Sequence, residues 1–164
     1  MDQLIDISLT VNGEQVSARV PTRTNLVDFL RVELDLTGSH VGCEHGICGA
    51  CTIRVDGLIV RGCLMLAAQA ECADVVTIEG LHNSGEIADL QDAFLQRNAL
   101  QCGFCTPGML LASAEYLKTN GTPDREGIRE FLSGNYCRCT GYEAIVDAVE
   151  KVARNRAGNT GGSK

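Results

Sequence analysis

Tryptophan is absent from this 164-residue chain, and aromatic residues together make up only 4% of it. Apolar residues at 45% can still form a core, but one built mostly from aliphatic side chains. No apolar run approaches the ~20 residues that a spanning helix needs, so no membrane span is expected. Residues 1–20 show neither a basic start nor an unbroken apolar stretch, so no secretory leader is expected. Lysine and arginine form no cluster able to neutralise a row of phosphates, which argues against nucleic acid as a partner. There is no nucleophile–base pair, no motif of paired carboxylates and no glycine-rich phosphate signature, so no catalytic residue is assigned. The net charge of −7 is uneven. Residues 1–79 carry 11 acidic and 5 basic side chains, whereas residues 80–164 carry 10 and 9. An acidic half of this kind is either a solvated surface or a field that steers a partner.

Against these absences stand nine cysteines. A disulfide framework suits shorter, secreted chains, and free thiolates persist best in a reducing cytosol, so the expected location is cytoplasmic. Eight of the nine fall into two groups of four. Cys43, Cys48 and Cys51 form a C-x4-C-x2-C run, and Cys63 follows after eleven intervening residues. That is the spacing of a plant-type [2Fe–2S] ferredoxin. Iron in such a cluster is soft enough to prefer thiolate. Three ligands within nine residues demand tight turns, which Gly42, Gly46 and Gly49 permit. They also let backbone N–H groups approach the sulfurs.

The second group is Cys102, Cys105, Cys137 and Cys139, a C-x2-C and a C-x-C separated by 31 residues. Spacing alone leaves a zinc site open here. The setting favours a cluster. Cys105 directly precedes Thr106-Pro107, which reads as a capping hydroxyl followed by a first-turn proline. Cys137 and Cys139 precede Thr140-Gly141, which reads as the start of the last helix. Two positive helix ends would then face one anionic group. Cys72 is left over and reads as a structural or surface thiol. His45 sits in the first loop at the wrong spacing for a ligand, and His40 and His82 join no constellation.

The order of elements predicts an α+β fold in two domains. Ile5, Ile7, Leu9 and Val11 alternate with polar residues as in a half-buried strand, and Asn12-Gly13 turns the chain back through Val16, Ala18 and Val20. Thr24 or Asn25 caps a short helix with Leu26, Val27, Phe29 and Leu30 inside. Thr52–Val55 and Leu58–Arg61 form a second hairpin about Asp56-Gly57, and Val75–Ile78 is a further strand. This is a β-grasp pattern over residues 1–79. Leu81 to Gly85 reads as a linker. Four helices follow over residues 80–154: one carries Ile87, Leu90, Phe94 and Leu95, one starts at Thr106, one is capped by Thr122-Pro123, and the last carries Ala144, Ile145, Ala148, Val149 and Val152. Four helices suit a small bundle. Residues 155–164 are expected to be a flexible tail.

Three stretches resemble the iron–sulfur small subunits of the molybdenum hydroxylases, the xanthine dehydrogenase and carbon monoxide dehydrogenase family. They are Gly42 to Thr52 (GCEHGICGACT), Gln101 to Gly108 (QCGFCTPG) and Gly134 to Tyr142 (GNYCRCTGY). The resemblance covers residues 3 to about 153. It implies a ferredoxin-like domain followed by a four-helix domain, each holding one [2Fe–2S] cluster on the quartets above. Gln101 matches a glutamine that contacts the pterin, and Cys139 a cluster ligand close to the pterin amino group. The implied partners are a large subunit holding molybdopterin, as its cytosine dinucleotide, and a medium subunit holding FAD, together a dimer of heterotrimers. The implied role is to carry electrons from molybdopterin to FAD or another acceptor. A free-standing two-cluster ferredoxin and a zinc-stabilised interaction module are the alternatives. No residue identifies the substrate.

Overall fold

In a computed structural model, residues 3–120 and 124–160 are described. Strand β1, Leu4–Val11, turns at Asn12-Gly13 with φ of 52° and 86° and pairs antiparallel with β2, Glu14–Pro21. Two consecutive left-handed residues make the tight turn that matches strand twist. Ile7, Leu9 and Val11 point inward as the alternation predicts, whereas Ile5 stays exposed near the strand's start. Asn25 opens the helix by accepting the Asp28 N–H at 2.8 Å. This helix, α1 (Leu26–Asp28), widens at once into a π-helical turn, Phe29–Glu33. Strands β3 (Thr52–Val55) and β4 (Leu58–Arg61) form the second hairpin. Strand β5, Asp74–Val76, lies between β1 and β3, parallel to the first and antiparallel to the second. The sheet order is β2-β1-β5-β3-β4. Leu26, Phe29 and Leu30 share one core with Ile7, Leu9, Ile53 and Val75.

The segment expected as a linker is instead helical. Helix α2, Ile78–Ser84, buries Ile78 and Leu81 three positions apart, and Gly85 ends it in the left-handed conformation. Its start also cuts β5 short of the predicted Ile78. Helices α3 (Ala88–Gln96), α4 (Thr106–Thr119), α5 (Arg125–Leu132) and α6 (Glu143–Thr160) complete the bundle. Its core includes Leu90, Phe94, Met109, Leu111, Ile128, Ile145 and Val149, while Leu95, predicted inside, faces out. The predicted cap at Thr122-Pro123 lies outside the described residues. Asp124 does the capping, accepting the Gly127 N–H at 2.8 Å. Helix α6 continues six residues into the segment expected as a tail. Arg156 helps hold it there, pairing with Asp89 of α3 at 2.8 Å. Residues 161–164 lie outside the described residues. No helix among the described residues is long and apolar enough to cross a membrane.

The bundle packs on the β3–β4 end of the sheet through α4. All four residues of β3 are therefore buried. One of them is Arg54, whose guanidinium takes Glu86 of the loop before α3 in two hydrogen bonds, at 3.0 and 2.8 Å. The bonded guanidinium holds the Glu86 carboxyl below its ordinary value. A depressed carboxyl contributes stability that is complete above its unfolded pKa and is lost as pH falls through the folded value. Replacing Glu86 with Gln should cost about 2 kcal/mol at pH 7, less than the ~3–5 of a wholly buried pair because Glu86 is partly solvated. That loss should vanish at acid pH. Chemical denaturation of the holoprotein at both pH values checks it.

Candidate metal centres

The first quartet sits at the edge where sheet and bundle meet. The loop from Ser39 to Ala50 leaves the π-helical turn and returns into β3, with Cys51 buried at its end. Cys43 Sγ accepts the backbone N–H groups of His45 and Cys48, both at 3.4 Å. Those amides hold the Cys43 thiol down to about 6. Burial has the opposite effect at Cys51, pushing it up to about 11 beside Cys63. In the metal-free chain at pH 7, Cys43 is therefore the ready thiolate, and it should alkylate faster than Cys51 by about tenfold or more. Its reactivity should persist as pH falls until about 6. Timed iodoacetamide labelling with peptide mapping reads both.

The second quartet lies in the bundle. Cys105 stands at the N-terminus of α4, and Cys137 and Cys139 lie in the loop before α6. That helix begins at Glu143 and not at Thr140-Gly141 as expected, because Gly141 and Tyr142 both have positive φ. Thr106 does not act as the predicted cap. It is already the first residue of the helix, Cys105 takes the cap position, and the Thr106 hydroxyl is buried without a hydrogen-bond partner. Burial, then contact with Cys137, pushes the Cys105 thiol up to about 12. At Cys137 burial is the largest single influence and acts upward, but hydrogen bonds from Thr140, the Cys139 amide and Cys105 together outweigh it and hold the thiol below its ordinary value.

In both quartets the sulfurs group two by two. Cys43 neighbours Cys48, Cys51 neighbours Cys63, and Cys105 neighbours Cys137. Cys139 Sγ and Cys102 Sγ are 3.6 Å apart. A tetrahedral metal with bonds of ~2.3 Å holds two thiolates about 3.8 Å apart. Among the described residues, no three His, Cys, Asp or Glu side chains converge on a point fit for one ion. The two-plus-two grouping suits a binuclear centre, in which each metal takes two thiolates. Cys72 stands apart from both quartets, exposed, with φ of 62°.

The structure also joins the two loops to each other, which the spacing did not reveal. The Tyr136 N–H donates to the Cys48 carbonyl at 2.8 Å. Asn135, only 2% exposed, donates to the Gly49 carbonyl at 3.0 Å. Arg61 reaches across to the Gly134 carbonyl at 2.7 Å and also bonds Thr52. His40, expected to join no constellation, stacks on Phe104 with ring centres 4.7 Å apart. Its Nδ1–H donates to the Phe104 carbonyl at 2.7 Å, which fixes the tautomer if the ring is neutral. His45 contributes its backbone N–H rather than its ring. Gln101 and Cys139, 38 positions apart, meet at the surface: the Gln101 amide donates to the Cys139 carbonyl at 3.0 Å.

Residues 9–77 match the family described as 2Fe-2S iron-sulfur cluster binding domain, and residues 77–150 that described as [2Fe-2S] binding domain. The chain is 54% identical to the caffeine dehydrogenase subunit gamma of Pseudomonas sp. (strain CBB1), covering 90% of each chain. It is 50% identical to the nicotine 6-hydroxylase small subunit of Paenarthrobacter nicotinovorans, over 88% of this chain and 87% of that one. Among solved structures, quinoline 2-oxidoreductase from Pseudomonas putida 86 superposes with a TM-score of 0.89 at 47% identity, over 98% of this chain and 99% of its match.

Proposed function

The chain belongs to the iron–sulfur small subunits of the molybdenum hydroxylases, and from that premise we propose how its residues carry electrons and where its partners sit. Cys43, Cys48, Cys51 and Cys63 hold one [2Fe–2S] cluster, and Cys102, Cys105, Cys137 and Cys139 hold the other. Such a cluster, when bound, takes up and gives back one electron at a time. The observation that carries the reading is the two-plus-two grouping of sulfurs in both quartets, which zinc in a single-ion site does not ask for.

The residues between the quartets give them a short connection. Cys48 and Cys137 are linked by peptide bonds and one hydrogen bond, Tyr136 N–H to the Cys48 carbonyl. Asn135 and Arg61 hold the two loops together beside that bond. Gln101 and Cys139 present one exposed surface toward a molybdopterin in a large subunit. Phe104 and Tyr136, exposed on the same motifs, suit the same buried contact. Ile47 and Leu64, exposed at the first loop, face a second partner, for which a flavin subunit holding FAD is the reading. The unit of assembly is then a heterotrimer, present twice, in the cytoplasm. Its domains divide near residues 79 and 80.

Metal analysis tests the ligand set. The purified holoprotein should contain about four irons and four sulfides per chain, and reduction should give two distinct paramagnetic signals. Replacing Cys72 with Ser should keep both signals, and replacing Cys51 with Ser should remove one. Stoichiometric zinc in place of the second signal would return the helical quartet to the zinc reading.

A further inference from the structure

Taking Cys137 as a ligand, as proposed above, we infer that Thr140 is a positioning residue of the helical-domain centre: its hydroxyl donates to the Cys137 sulfur and raises the reduction potential there. Thr140 Oγ1 lies 3.1 Å from Cys137 Sγ. A metal-bound cysteine sulfur is a thiolate with no proton to give, so the hydroxyl must be the donor. The rest of the loop commits it to that task. The Tyr142 N–H points at the same Oγ1 from 3.2 Å. An amide N–H can only donate, so it occupies a lone pair of the hydroxyl oxygen and leaves the hydroxyl proton for sulfur. The Tyr142 phenol returns to accept the Cys137 N–H at 3.0 Å. Cys137, Thr140 and Tyr142 thus close a small ring of hydrogen bonds around one sulfur.

The backbone is bent to make this ring. Gly141 and Tyr142 both have positive φ, at 65° and 68°. A tyrosine in the left-handed region is uncommon and persists only where its surroundings hold it. Here the two contacts of Tyr142 do so. The first loop offers a contrast. Cys43 receives backbone N–H groups from His45 and Cys48, donors that no substitution short of proline removes. Backbone amides of Thr140 and Cys139 act on Cys137 as well, but the Thr140 hydroxyl is a side chain, so that part of the donation is set by sequence.

The sign follows from charge. Reduction adds one negative charge to the centre, and a donor dipole aimed at a ligand sulfur stabilises the more negative form. Removing the donor lowers the potential.

The test is an EPR-monitored redox titration of the assembled complex bearing Thr140→Val. At the wild-type midpoint of the helical-domain signal, the ratio of reduced to oxidised centre should fall about tenfold, which is 59 mV for one electron. The ferredoxin-domain midpoint should stay in place, and Thr140→Ser should restore the wild-type value. An unchanged midpoint in Thr140→Val overturns the inference. So does a failure of Ser to restore it, or an equal shift of both centres. Thr140→Ala repeats the measurement with no added methyl. If the valine and alanine variants both lose the helical signal, Thr140 is a residue of assembly and not of tuning, which also overturns the inference. A wild-type protein without a second signal would instead strike at the ligand set, so the two failures are distinguishable.

Discussion

In an assembled complex carrying Cys105→Ala, substrate should still reduce molybdenum while flavin stays oxidised. Cys105 is half-buried at the head of α4, where burial and Cys137 push its thiol up to about 12. No other thiol can stand in for it: Cys72 is exposed beside β1, where its N–H bonds the Ser8 carbonyl, and Thr106 Oγ1 is a hydroxyl. The chemistry at molybdenum belongs to another subunit and should proceed. Flavin reduction should slow on the order of a thousandfold, about 4 kcal/mol of added barrier. Stopped-flow spectra after mixing with substrate separate the two events. Flavin reduction at the wild-type rate would show that electrons bypass this chain, and the electron-carrying reading would fall.

Replacing Gly108 with Ala should be strongly destabilising for a change of one carbon. A Cβ there would meet the Gly49 carbonyl oxygen, a backbone atom, well inside contact distance. That oxygen already accepts from Asn135 and from the Thr52 hydroxyl, so it cannot retreat without breaking both bonds. Gly49 itself has φ of 72° and sits against Asn135 and the Gly134 carbonyl. Overpacking against fixed backbone should cost about 3 kcal/mol, near the upper end for one extra methyl group. Gly158→Ala makes the control. It adds the same carbon to α6, where nothing lies within 4 Å, and should stabilise by up to ~1 kcal/mol through helix propensity. Denaturation midpoints of the two holoproteins should therefore move in opposite directions. A neutral Gly108→Ala would mean that α4 and the first loop can separate freely.

Some of this was legible without coordinates and some was not, for physical reasons. Period-2 alternation in β1, Asn-Gly and Asp-Gly at the hairpins and the Asn25 cap are local signals, and each acts within a few residues. The cysteine spacings are also local in each half. What joins the halves is not. Asn135 looks like a surface residue in a loop, and only the fold brings it 3.0 Å from a carbonyl 86 positions earlier. Arg61, Tyr136 and Gly108 are the same kind of residue, ordinary in sequence and decisive at the junction. The segment Leu81 to Gly85 misled because His82, Asn83 and Ser84 are polar loop formers. The buried pair Ile78 and Leu81 outweighed them. Thr106 misled for a related reason: Thr-Pro at a helix start reads as cap and first residue, but Cys105 had already taken the cap position. Thr140-Gly141 reads as a helix start, and nothing local shows that the hydroxyl turns back to the Cys137 sulfur instead.

The latch between Asn135 and Gly49 sets an order in time. A ribosome adds about 5–20 residues each second, so the partner that closes the first loop emerges about 4–17 s after the loop itself. Through that interval Cys43, Cys48, Cys51 and Cys63 have left the tunnel without their cover. Ile47 and Leu64 stand beside them. The earlier half of the chain thus waits on the later half to be sealed, and iron delivered before residue 135 is made would meet an unroofed site. Metal insertion is best timed after Asn135 has folded back, and a protein truncated before Asn135 should come out of the cell with its first four cysteines oxidised or bare.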